Sequence, residues 1–303
     1  MNKKTCLVIV GPTAVGKSSL AIQLAKQFNS DIISADSRQC FRELNIGVAK
    51  PTAAQLNAVK HYFINSHSIK EEVNAAVFER YALEISDKIF ANKDIAIMVG
   101  GTGLYIKAFC EGMDEIPEVP LETHNAIVLN YEKYGLSWLQ QEIRQKDPEY
   151  FLSGENQNPQ RLMRALEVKS ATGFSIRSFQ KKISRQRPFN TIKIGLELPR
   201  EELYANINYR VNQMIQDGLI EEVKSLAAYA ELNALQTVGY SEIFEYLNGN
   251  YDLQVAINNV KKNTRHYAKR QMTWFKKDDA INWFSPQDLS GIISFIRQEY
   301  NVE

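Results

Sequence analysis

The chain is poor in cysteine, has no long uncharged apolar run, and carries no excess of either charge. Cys6, Cys40 and Cys110 are its three cysteines. They are scattered, odd in number and without a C-x-x-C spacing, which argues against a disulfide framework or a cysteine zinc site and fits reduced thiols. His61, His67, His124 and His266 show no metal-ligand spacing either. No uncharged apolar stretch reaches the ~18 residues needed to span a membrane. Met1-Asn2-Lys3-Lys4 runs straight into an apolar segment, leaving no room for a signal peptide. Thirty-six basic residues against thirty-five acidic ones give a net charge of +1. That balance excludes a bulk polyanion binder, so any nucleic-acid surface must be a local concentration of charge. Repeats and low-complexity tracts are also absent. What remains is a cytoplasmic protein of 303 residues, 44% apolar, able to bury a large core as one domain or two.

The organising stretch is Gly11 to Ser18, GPTAVGKS, directly behind the apolar run Thr5 to Val10. It fits G-x-x-x-x-G-K-[ST], between a strand pattern and a helical one, as a phosphate-binding P-loop requires. Gly11 and Gly16 let the backbone turn so that successive amides, from Pro12-Thr13-Ala14-Val15 onward, surround an anion. The helix beginning at Lys17 points its positive end at the same place. Lys17 then lies along terminal phosphate oxygens, and the Ser18 hydroxyl reaches a Mg²⁺ bridging them. The motif implies a diphosphate or longer with Mg²⁺, not that the phosphate belongs to a nucleotide.

Asp31 to Ala35 and Asp94 to Val99 read as two further buried strands, with a helix at about 74–90 between them. Strands alternating with helices predict a P-loop NTPase-like α/β fold, a parallel sheet with helices on both faces. The strand-end loops at the P-loop, at Asp36-Ser37-Arg38-Gln39 and at Gly100-Gly101-Thr102-Gly103 should converge on one cleft. Beyond Gly112 the pattern changes. Ile116 to Pro120 resembles a linker, and a polar helical stretch follows to about Thr172. Residues 117–195 read as an inserted, mostly helical domain, with 1–116 and 196–303 forming the core. Thr191 to Leu198 reads as a returning strand. Long helices are expected at Arg200–Tyr229, Asn233–Leu247 and Leu253–Lys277, making the C-terminal part helical. Two stretches concentrate positive charge: Arg177, Lys181, Lys182, Arg185, Arg187 and Lys193 in one, and 261–277 in the other, where cations alternate with Tyr267, Trp274 and Phe275. Each alone reads as a solvated face with buried aromatics; together they suggest a surface for a phosphate backbone.

Asp36, following a buried strand, is a candidate general base or metal-organising carboxylate; the plainer reading is a turn or helix cap. The third strand ends in glycine and threonine, not the aspartate that a motor-type ATPase uses to hold Mg²⁺. This favours a small transferase in which Asp36 deprotonates an acceptor. Thr102, between glycines, is a candidate contact for a leaving oxygen. Arg210 reads on spacing alone as part of a solvated helix face.

In order along the chain, GPTAVGKS (11–18), DSRQ (36–39), AKPT (49–52), VGGTGLY (99–105), QRLMRALEV (160–168), RVNQMIQDGLIEEV (210–223), QTVGY (236–240) and TRHYAKRQMTWF (264–275) resemble the tRNA dimethylallyltransferases, or tRNA isopentenyltransferases. Phe41, Val48 and Tyr62 depart from the usual tyrosine, threonine and histidine. The resemblance covers nearly the whole chain. It implies transfer of a dimethylallyl group from dimethylallyl diphosphate to the exocyclic amine of the adenosine just 3′ of the anticodon, in tRNAs reading codons that begin with U. It implies diphosphate binding by Gly11 to Ser18, with Thr102 and Arg210 contacting the leaving diphosphate and Asp36 as base. It implies tRNA contacts at Asp36, Ser37, Arg38, Gln39, Thr102, His124, Gln160, Arg161, Leu162, Met163 and Arg164. The inserted domain would grip the anticodon stem-loop, and a monomer is expected. A P-loop kinase for a small metabolite, an RNA-binding nucleotide switch, and a transferase acting on free AMP or ADP are the competing classes. The basic insertion and the QRLMR segment fit a large polyanion better than a free nucleotide.

Overall fold

The computed structural model describes residues 4–181 and 185–301. Lys182 of the basic stretch lies outside them. The described chain forms two compact units, one built from residues 1–111 and 186–303, the other from 112–185.

The first unit is a six-stranded, wholly parallel sheet. Its strands are β1 (Thr5–Val10), β2 (Ile32–Ser34), β3 (His61–Tyr62), β4 (Ile95–Val99), β5 (Asn190–Leu196) and β6 (Ile281–Phe284), arranged β3-β2-β4-β1-β5-β6. β1 is central, with Thr5 opposite Ile95 on one side and Asn190 on the other. All six of its residues are buried, which is why this strand reads as an unbroken apolar run: a parallel sheet covered on both faces offers neither face to water. Leu7, Ile9, Ile97 and Ile194 pack with Leu20 and Leu24 into one apolar cluster. The chain leaves β1 toward β2 on one flank and returns as β5 on the other. The crevice beside β1 is therefore where α/β sheets collect ligands.

Helices cover the sheet: α1 (Lys17–Gln27), α2 (Ala53–Ala58), α3 (Ala75–Phe90) and α4 (Gly103–Glu111) come before the second unit. Asn74 caps α3 by accepting from the Ala76 and Val77 amides, satisfying two of that helix's free N-terminal donors. In the second unit, α5 (Leu121–Lys146), α6 (Pro148–Ser153) and α7 (Pro159–Thr172) enclose a separate core of Leu139, Ile143, Tyr150, Leu162, Met163 and Leu166. α5 is interrupted at Gly135, whose φ of 71° and ψ of −165° are not helical.

Four expectations need correction. The insertion does not run to residue 195: β5 pairs with β1 from Asn190 onward, so its residues belong to the core sheet. The helix expected over 200–229 is two helices, α8 (Arg200–Gln216) and α9 (Leu219–Ser225). Gly218 separates them at φ 100°, a left-handed position where glycine costs least. The helix expected from Asn233 begins only at α10 (Tyr240–Leu247), behind Gly239 at φ 99°. The basic stretch ending at Lys193 is not one solvated face. Arg187 pairs with Glu79 at 2.6 Å and donates to the Ala108 and Phe109 carbonyls, and Lys193 pairs with Asp278 at 2.6 Å. α11 (Leu253–Phe275) and α12 (Leu289–Asn301) complete the chain. No described helix is long and apolar enough to cross a membrane.

Candidate active site

The P-loop joins β1 to α1 and owes its shape to positive φ at Gly11 (142°), Ala14 (65°) and Gly16 (104°). At Gly11 a side chain is also barred by space, since a Cβ there would sit 2.6 Å from the Leu196 carbonyl oxygen. Thr13, Ala14, Gly16, Lys17 and Ser18 line a cavity of about 260 Å³. Val15 instead packs into the core beneath it. Pro12 and Gly11 contribute carbonyls: the Lys17 ammonium nitrogen donates to Gly11 O at 2.9 Å and Pro12 O at 2.7 Å. Burial, and secondarily the Arg210 guanidinium, lower the Lys17 pKa to about 7, against the opposing pull of Asp36.

The other strand-end loops meet the P-loop here. Asp36 follows β2, and its Oδ1 accepts the Arg38 amide at 2.9 Å and the Gln39 amide at 3.3 Å. Both of these hydrogen bonds fall on Oδ1, so the turn role engages one oxygen of the carboxylate. Thr102 follows β4 at the cleft's edge. Its hydroxyl oxygen accepts the Ser37 amide at 3.0 Å, and a further hydrogen bond joins it to Tyr267. Arg210, expected on spacing to face solvent, is half-buried; it reaches Thr13 Oγ1 at 3.4 Å, and burial lowers its pKa from the ordinary value.

A second cavity of about 220 Å³ adjoins the first and shares Thr13, Asp36, Val48, Ala49, Arg210 and Tyr267 with it. Its remaining lining is mostly apolar, including Ile207, Val211, Met214, Val238 and Val260. One cleft therefore has a cationic half at the P-loop and an apolar half between α8 and α11, with Asp36 on both.

Two residues the sequence reading passed over hold this cleft. Gln271 on α11 is buried; its Oε1 accepts the Thr13 amide at 2.8 Å and its Nε2 donates to Gly101 O at 2.9 Å. Tyr267 lies one helical turn earlier on the same face. Burial and the charge of Asp36 raise its phenol to about 12. Both residues fall inside the quoted TRHYAKRQMTWF segment, which was the available signal. Gln39, expected to meet RNA, turns inward and donates to the Val48 and Ala49 carbonyls at 3.2 and 3.1 Å. Arg38 stays outward, with Nη1 3.4 Å from Asn233 Oδ1.

In the second unit, the expected RNA contacts divide. Leu162 and Met163 are core residues, so their side chains pack the domain instead of offering themselves to a ligand. Gln160 and Arg161 are exposed on the same helix. The His124 ring nitrogen lies 2.8 Å from buried Glu167, whose other oxygen is 3.3 Å from Arg164.

Among the described residues, no group of three histidine, cysteine or acidic side chains could hold a metal. The residues present still suit Mg²⁺, which binds one or two protein oxygens and takes the rest from phosphates and water: Ser18 and Asp36 line the same cavity.

A model of the IPP transferase family matches residues 39–278. The chain belongs to that family. The tRNA dimethylallyltransferase of Cytophaga hutchinsonii is 47% identical to it, covering 97% of this chain and 96% of that protein. Bacteroides thetaiotaomicron tRNA dimethylallyltransferase 1 is 43% identical over 97% of this chain and 95% of its own length. The full-length tRNA isopentenylpyrophosphate transferase of Bacillus halodurans superposes with a TM-score of 0.73 at 34% identity, covering 99% and 98% of the two chains. A eukaryotic dimethylallyltransferase solved acting on tRNA gives 0.78 at 25% identity, over 98% of this chain and 77% of that one. The family model begins at Gln39, after the P-loop. The expected resemblance and the parallel α/β fold are both borne out.

Proposed function

We propose that this IPP transferase moves a dimethylallyl group from dimethylallyl diphosphate to the exocyclic amine of the adenosine 3′ of the anticodon, in tRNAs whose codons begin with U. The observation that carries the reading is the divided cleft. Its P-loop half suits a diphosphate, its apolar half suits a short hydrocarbon, and the one carboxylate lining both halves stands where an amine would meet the reacting carbon.

In the reaction the amine nitrogen forms a bond to C1 of the dimethylallyl group as the C1–O bond breaks and diphosphate leaves. Negative charge grows on the leaving oxygens. Lys17, released from the Gly11 and Pro12 carbonyls, Arg210 and the P-loop amides are placed to meet it. Thr102 adds a hydroxyl at the same edge. A Mg²⁺ held by Ser18 and the diphosphate would supply further neutralisation of that charge. The adenine amine is a poor nucleophile until its bond to carbon forms, when its proton becomes acidic. Asp36 orients the amine and accepts that proton. The base must leave its stack to reach a cleft of this size. On this reading Arg38 of the core and His124, Gln160, Arg161 and Arg164 of the second unit meet the anticodon stem-loop. The enzyme works in the cytoplasm as a monomer, which light scattering after size exclusion tests.

The deciding experiment is transfer of labelled dimethylallyl from its diphosphate to unmodified tRNA, beside reactions with AMP as acceptor or ATP in place of the prenyl donor. Label should enter tRNA, and Asp36→Asn should lower kcat by about 10²–10⁴, the usual worth of a general base. Label in AMP alone makes the enzyme a free-nucleotide transferase. ATP consumption without prenyl transfer makes it a kinase.

A further inference from the structure

Val48 and Ala49, which line both cavities, end an arc that starts at Asn45, and this arc has an unusual anchor. Glu222, on α9, is remote in sequence from the arc. Its Oε2 accepts the Asn45 amide at 3.1 Å and the Ile46 amide at 2.8 Å, while Oε1 accepts the Gly47 amide at 3.0 Å. The same Oε1 accepts the Tyr240 hydroxyl at 2.5 Å. Three consecutive backbone donors thus converge on one half-buried carboxylate, in the manner of an anion-binding nest filled by the protein's own side chain.

The surroundings leave the arc little freedom. Tyr240 is fully buried, and its ring lies so close to Gly47 that a Cβ there would be 2.4 Å from it. From the cleft side, Gln39 donates to the next two carbonyls, Val48 O and Ala49 O. Lys50 closes the far end by donating to Phe41 O at 2.6 Å. The arc is therefore held by Glu222 at Asn45 to Gly47 and by Gln39 at Val48 and Ala49, and Val48 and Ala49 line both cavities. An outward slip of the arc would move Gly47, Val48 and Ala49, all of which line the apolar half.

We propose that Glu222 is a positioning residue which, through the 45–49 arc, sets the width of the apolar pocket and so limits the length of the prenyl group accepted. The proposal rests on the prenyl-transfer reading above. Glu222 itself touches no substrate on this scheme. Neutralising it removes charge-assisted acceptors from three amides, whereas removing the Tyr240 hydroxyl leaves all three in place.

The test compares Glu222→Gln, Tyr240→Phe and Val48→Ala with the wild type, using dimethylallyl and geranyl diphosphates as donors to tRNA, together with amide hydrogen exchange. Glu222→Gln should raise the ratio of kcat/KM for geranyl over dimethylallyl donor by at least tenfold. It should also speed exchange at Ile46 and Gly47 by at least tenfold while leaving exchange in β1 unchanged. Tyr240→Phe should change the ratio less than threefold. Val48→Ala, which trims the wall without touching the anchor, should raise the ratio and supports the pocket assignment if Glu222→Gln fails to fold. Unchanged exchange in Glu222→Gln overturns the clamp. Faster exchange with an unchanged donor ratio, or an unchanged ratio in Val48→Ala, overturns the role in selectivity. If the wild type transfers neither donor, the prenyl reading and the selectivity fall together, while exchange still decides whether Glu222 holds the arc.

Discussion

Lys17 should take up a proton when diphosphate binds. In the free protein its nitrogen is buried against two P-loop carbonyls, with the Arg210 guanidinium nearby, and its pKa is lowered from 10.5 to about 7. A bound diphosphate replaces those carbonyls with anionic oxygens and restores the charged form. At pH 8 about one tenth of free Lys17 is protonated, so binding should take up ~0.9 proton there and only ~0.1 at pH 6. The protonation step then costs about 1.4 kcal/mol of diphosphate affinity at pH 8 and almost nothing at pH 6. The assay is calorimetric titration of inorganic diphosphate in buffers of different ionisation enthalpy, with Lys17→Arg to subtract the ligand's own protons. The Lys17 Cε resonance followed by NMR gives the same quantity without ligand. A midpoint near 10.5, or equal uptake at pH 6 and pH 8 after subtraction, refutes the reasoning. The sign for stability follows. Because the unfolded chain holds this proton up to about 10.5 and the folded chain only to about 7, the free protein gains stability as pH rises between those values. Diphosphate should abolish that gain.

Two substitutions probe the scaffold. Gln271→Met keeps the side chain's length but leaves the Thr13 amide and the Gly101 carbonyl without partners; stability should fall by about 1–3 kcal/mol, and kcat by more than tenfold with KM for the donor little changed, read by chemical denaturation and steady-state kinetics. Glu79→Ala strips the partner from Arg187, a pair in which both side chains are largely buried; a loss of about 3–5 kcal/mol is expected, while a loss below 1 kcal/mol would show that the two carbonyls of Ala108 and Phe109 carry the arginine alone.

What was legible in the sequence is what is local. The apolar run of β1, the two P-loop glycines and the helix behind them each depend on residues within a few positions, so type and spacing determine them. The same holds for the strand ends at Asp36 and Thr102, and parallel topology then brings those loops together without further information. Helix ends were less legible. Gly218 and Gly239 each stand inside patterns that remain apolar at helical spacing, and the positive φ that breaks the helix leaves no mark in that periodicity. Leu162 and Met163 were misplaced for a related reason: a family motif marks residues that matter, and packing the second unit's core is one way to matter.

The residues that the sequence could not have assigned are those whose partners lie far along the chain. Gln271 meets Thr13 across 258 positions and Gly101 across 170, and Glu222 meets Gly47 across 175. Nothing in a helical run of cations and aromatics says which of its faces will dock. On α11 the answer is that Tyr267, Gln271 and Phe275, spaced four apart, turn toward the sheet, while Trp274 remains 40% exposed. The charge pattern of that helix therefore describes its outer surface, and its contacts with the cleft lie on the opposite one. The Gln271 amide on that inner face joins the P-loop to the Thr102 loop, so the spacing between these two loops is set by α11 and not by either loop alone.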